Sequence, residues 1–219
     1  MVGMRVERGV ASLKVRGVVA QVMLGLFLVV SLLVTLGALA LAWRELKSGY
    51  GLYEFLEPVG AFYLALAFIP AAVALSFWVW RGHRNLEDDQ LTGLRYGPVR
   101  TVIAHWVPLI NLAMPKAAMR ELWNRSHGEE EWHGQQSVDA INSWWTCYVI
   151  GIVVVSLLTA MVLFDRYTAF NFLTPPGANM LALAFASALL ATSAWLLLRI
   201  IGRITHAQQT VTSVGDTFA

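Results

Sequence analysis

Four stretches of this chain carry no Asp, Glu, Lys or Arg over a length that suits a lipid bilayer: residues 17–43, 58–80, 140–164 and 177–198. A helix rises ~1.5 Å per residue, so about 20 residues cross ~30 Å of hydrocarbon. Backbone groups find no water there, which leaves helices and closed barrels as the only spanning structures. The stretches are continuously apolar and do not alternate, so helices are selected over barrel strands. The chain is therefore expected to be an all-α integral membrane protein with four transmembrane helices. Composition points the same way, with 57% hydrophobic and 14% charged residues, against roughly 25% charged in soluble domains. A formal net charge of +2 is too small to signal a polyanion, and no nucleic-acid partner is expected. The lone Cys147 excludes an intrachain disulfide.

A fifth apolar stretch, residues 101–115, is shorter, and Pro108, Asn111 and Pro115 interrupt it. Fifteen helical residues rise only ~22 Å, and Pro108 removes a donor from the middle. Trp106, Pro108, Asn111 and Pro115 are thus predicted to form a Pro-broken re-entrant or interfacial turn between the second and third spans. Pro98 and Pro115 suit the first turns of two short helices. In the second of these Met119, Leu122 and Trp123 share one face, while Lys116, Arg120 and Asn124 share another. That pattern predicts an amphipathic interfacial helix, with Met119, Glu121 and Trp123 as its marker residues.

The resulting layout is a basic cytoplasmic arm (1–16), spans at 17–43 and 58–80, an inner region (81–137), spans at 140–164 and 177–198, and a cytoplasmic tail (199–219). With both ends inside, thirteen of the sixteen Lys and Arg residues lie on the inner side, and only Arg44, Lys47 and Arg166 lie outside. Positive residues favour the cytoplasmic face, so this orientation in a plasma membrane is expected. The first apolar run is about twice the 7–15 residues of a signal-peptide core, so it reads as a span. On span four, Ala182/Ala186, Ala184/Ala188 and Ser187/Ala191 place small residues four apart. Such a stripe lets helices approach closely, and packing inside the monomer is the expected use.

The inner region carries Arg84-Asn85-Leu86, Leu94-Arg95-Tyr96-Gly97-Pro98, then Trp106 with Pro108, Asn111 and Pro115, then Met119-Arg120-Glu121-Leu122-Trp123. This series resembles a bacterial family of four-span membrane proteins classed only as a domain of unknown function. It departs from the family at His105, where a bulky aromatic or small residue is common. The resemblance implies the four-span fold and membrane location. It implies no substrate.

No catalytic constellation is present. The four spans hold no Asp, Glu, Lys, Arg or His in their interiors, where pumps, coupled transporters and intramembrane proteases need such groups. No phosphate loop, zincin motif or nucleophile elbow occurs. His83, His105, His127, His133 and His206 lack metal-ligand spacing, and neither metal nor cofactor is expected. The chain is expected to be non-enzymatic, a multi-pass module acting through protein or lipid contacts, as a subunit of a larger complex or by self-association. The alternatives are an oligomeric channel or transporter using the broken segment and a haem- or quinone-linked redox subunit. Arg84, Arg95 and Arg120, with His83 and Asn85 as added donors, are the expected contact for an anionic lipid or acidic partner.

Overall fold

The computed structural model describes residues 2–48, 56–107, 110–169, 172 and 174–217. Six α-helices and two short 3-10 turns make up its regular structure, and the described residues contain no strand. The helices are α1 (Val2–Ser48), α2 (Leu56–Asp88), α3 (Pro98–Trp106), α4 (Met114–Ser126), α5 (Asp139–Tyr167) and α6 (Ala178–Thr217). Four of them, α1, α2, α5 and α6, are long and apolar enough to cross a membrane.

These helices run past the limits that charge alone suggested. Residues 2–16, expected as a separate arm, are the first turns of α1, and α1 continues through Arg44, Glu45 and Lys47. The tail from Arg199 is likewise helical to Thr217. Lys, Arg, Glu and Gln are good helix formers, so a charge ends an apolar span without ending a helix. Pro70 lies inside α2 without terminating it.

The chain divides into two compact units, and each long helix contributes to both. One comprises Met1–Met23, Ala71–Ser143 and Leu196–Ala219; the other comprises Leu24–Pro70 and Trp144–Trp195.

In the second unit, α6 supplies the core with small side chains: Ala184, Ala186, Ser187, Ala191 and Ala194 are buried. In its most apolar window α6 is 50% buried and α5 only 6%, so α6 is the central helix and α5 the peripheral one. The Ser187 hydroxyl meets Thr35 Oγ1 at 2.8 Å and donates to the Leu183 carbonyl at 2.7 Å, so a polar pair sits in the core without an unpaired donor. Leu24 and Phe27 of α1 are buried, whereas Leu26, Val29, Leu32 and Leu33 are exposed. Glu45, 7% exposed, accepts the Gly177 N–H at 2.8 Å just before α6 begins. A carboxylate at that point satisfies a backbone donor and faces the positive helix end.

Gly151 sets the spacing of α5 against α6. A Cβ there would stand 2.9 Å from Leu190 Cγ and 3.1 Å from the Ala186 carbonyl oxygen. Gly151→Ala is expected to cost about 1–3 kcal/mol through overpacking. Gly25→Ala meets nothing within 4 Å and should instead hold or raise stability through helix propensity. Thermal unfolding of the two variants in one detergent checks this; equal shifts would remove the packing role.

Candidate functional site

The first unit holds the residues that the sequence singled out. Pro98 opens α3 after an extended Gly97, and Pro115 stands in the first turn of α4. Between them the chain forms a 3-10 turn at Ile110–Leu112, in which the Asn111 N–H bonds the Val107 carbonyl at 2.9 Å. Pro108 lies outside the described residues. Trp106 ends α3 and donates through Nε1 to Ser76 Oγ on α2 at 3.1 Å, which ties the short helix to the long one.

Helix α4 buries more than an apolar stripe. Pro115, Ala118, Met119, Glu121, Leu122, Asn124 and Ser126 are all buried, on the polar side of the helix as well as the apolar one. Lys116 and Arg120 of the expected polar face stay partly exposed, but Glu121, Asn124 and Ser126 turn inward, because they find partners within the unit. Glu121 is 3% exposed. Its carboxylate accepts the backbone N–H groups of Arg95 and Tyr96 at 3.0 and 3.1 Å and the Gln135 side-chain amide at 3.2 Å. Burial holds its carboxyl above the usual range; the two backbone donors, the Arg125 charge and Gln135 oppose that shift.

Asn124, 5% exposed, binds the loop beyond α4. Its Nδ2 donates toward the carbonyls of His133, Gly134 and Gln136 at 3.2, 3.2 and 3.1 Å. Gly128, at φ +82°, turns the chain back at the end of α4. Gly128 N–H bonds the Arg125 carbonyl and Glu129 N–H the Asn124 carbonyl, the double bond pattern of a Schellman cap.

Of the five expected headgroup contacts, three reach the surface at least in part and two are buried. Arg84 is exposed but ion-paired with Glu87 and Asp88. Arg95 is exposed on the loop before α3, and Arg120 is half-buried with an unpartnered Nε. His83 and Asn85 lie inside the protein, 0% and 4% exposed, which corrects their assignment as donors to a headgroup. Asn85 Nδ2 donates to Gln208 Oε1 at 2.8 Å, and Gln208 Nε2 donates to Ser126 Oγ at 2.9 Å and to the Gly82 carbonyl at 3.3 Å. The result is a buried polar network joining α2, α4 and α6.

His83 makes no hydrogen bond of ordinary geometry, although the Tyr96 backbone lies close, and His105 is near enough to act on it electrostatically. His105 spends Nδ1 on the Thr101 carbonyl at 2.8 Å, and burial lowers its pKa against that bond. No group of three or more His, Cys, Asp or Glu residues capable of holding a metal occurs among the described residues.

Two cavities are relevant to binding. In the second unit a cavity of about 370 Å³ is lined by Phe27, Phe62, Phe68, Leu158, Leu163 and Leu183 among others, with Thr159 and Asn179 as its polar members. In the first unit one of about 410 Å³ is lined by Ser126, His127, Arg203, His206 and Thr210 with two small residues.

Together these features define an all-helical chain of four long apolar helices with a short-helix layer inserted between the second and third. A family model described as a domain of unknown function (DUF4328) matches residues 54–206, and the chain belongs to that family. No curated protein and no solved structure matches it.

Proposed function

We propose that the chain is a non-enzymatic, multi-pass membrane module that works by holding lipid, with the α3–α4 layer and both termini on the cytoplasmic side. The positive charge of that side supports the orientation. The observation that carries the reading is the apolar cavity of the second unit. Its walls are aromatic and aliphatic side chains of α1, α2, α5 and α6, all within segments apolar enough to span a bilayer. A polar substrate entering such walls would leave its water without gaining partners, at a cost of several kcal/mol. A hydrocarbon chain loses nothing there, and it is the solvent that surrounds a spanning helix. Pre-formed, mostly apolar cavities of a few hundred Å³ are the usual form of a small-molecule site.

The test fills the cavity from its rim. Ala65 lines it and is exposed, so Ala65→Trp adds bulk without invading the core. Native mass spectrometry of protein released from gentle detergent should show a retained lipid on the wild type and its loss in Ala65→Trp. Equal retention would sink the reading.

A further inference from the structure

The cavity of the first unit differs in chemistry from the apolar one, and a ligand bound there does not depend on lipid in the second unit. It lies where α4 ends against α6. Its described lining residues include Arg203, His206, His127, Ser126 and Thr210, and no carboxylate. Three other arginines of this unit are already engaged: Arg81 pairs with Asp88, Arg84 with Glu87 and Asp88, and Arg125 donates to the carbonyls of Glu129 and Thr92. Arg203 has no ion-pair partner among the described residues. Its guanidinium instead lies over the Trp123 ring, 6.0 Å from the centroid. Trp123 in turn stacks on His127 at 4.7 Å with the planes 25° apart. His127 is held further by its Nδ1, 2.7 Å from the Trp123 carbonyl, which leaves its Nε2 edge for a ligand. His206 stands one turn along α6 from Arg203 and shares the same cavity.

We infer that Arg203, His206 and His127 form a binding site for a phosphate group. An always-charged guanidinium with forked donors matches phosphate oxygens better than any other side chain. The indole beneath it orders the guanidinium while leaving its donor edge unspent. The His206 imidazole adds a donor to the same volume, His127 adds a second through Nε2 when its ring carries both protons, and no described carboxylate competes for the cation. The site is not the set that the motif suggested. Arg203 lies about eighty residues beyond the Arg-rich inner region, and only the fold brings it to the end of α4.

The phosphate belongs either to the headgroup of an anionic lipid or to a soluble phosphate compound. Two probes separate the sources, both applied to the full chain in detergent. The first is native mass spectrometry with phosphatidylglycerol against phosphatidylcholine. The second is ³¹P line broadening of inorganic phosphate. The variants are Arg203→Gln and His206→Gln, with Arg100→Gln as an exposed control of equal charge change on α3. His206 is exposed, so its replacement leaves the core intact. A lipid site predicts that both site variants lose phosphatidylglycerol preference by about fivefold while the control changes by less than twofold. A soluble-phosphate site predicts broadening by the wild type that both site variants abolish and the control keeps. If neither probe separates the site variants from wild type, or if Arg100→Gln matches them, the site does not exist.

Discussion

Glu121→Leu should lower the stability of the solubilised protein by about 2–4 kcal/mol, the cost of leaving buried donors unpaired. The carboxylate accepts two consecutive backbone N–H groups and a side-chain amide, all from segments remote along the chain. No leucine can replace those acceptors, and the loop carrying Arg95 and Tyr96 would have to turn to water. Glu121→Gln keeps the shape and one acceptor and should cost less, about 1–2 kcal/mol. The pH response distinguishes the two forms of the wild-type side chain. Burial raises the folded-state pKa of Glu121 above its ordinary 4.5. A raised acid binds its proton more tightly when folded, so the stabilising contribution is complete below 4.5. It is lost as pH rises through the folded-state value. The advantage of wild type over Glu121→Gln in melting temperature should therefore shrink between pH 4 and pH 7. An advantage that grows with pH would show that the charged carboxylate is the preferred buried form.

The second large effect is expected at Asn124. Asn124→Ala removes the amide that holds three loop carbonyls, and should cost about 2 kcal/mol while exposing residues 127–136 to proteolysis. Asn124→Asp should be worse, about 3–5 kcal/mol, because a carboxylate would then face three carbonyl oxygens in a buried site. Limited proteolysis read together with thermal unfolding checks both. If Asn124→Asp is as stable as wild type, the amide's donors are not what closes the loop.

Asn124 also shows where reading by helical face misleads. Placed with Lys116 and Arg120 on a polar face, it reads as wet. Its partners are main-chain carbonyls nine to twelve residues further on. Carbonyls carry no side-chain signature, so nothing in the residue types around Asn124 announces them. Gly128 is the one local signal that the chain reverses there, since a glycine just past a helix suits a left-handed cap. Two members of the expected headgroup site mislead similarly. Arg84, Arg95 and Arg120 are near in sequence, but Arg84 meets acids one turn along its own helix, and His83 and Asn85 face inward.

Four long apolar helices and the two proline-led short ones are legible in the amino-acid order alone. Each of these rests on local physics: the transfer of a continuous apolar stretch, the helix's internal hydrogen bonding, and proline's fixed φ with its missing donor. Where the helices end was less legible, because hydropathy marks the edge of the apolar span and helix propensity does not change there. Which polar groups are buried, and what they touch, comes from packing between distant segments. Asn85 pairs with Gln208 across 123 positions, and Glu121 reaches Arg95 across 26. A side chain at the end of a span is stable in water, at a headgroup or inside the protein if hydrogen-bonded, and its own identity does not choose among them. The choice is made by which distant donor or acceptor the packing brings within about 3 Å.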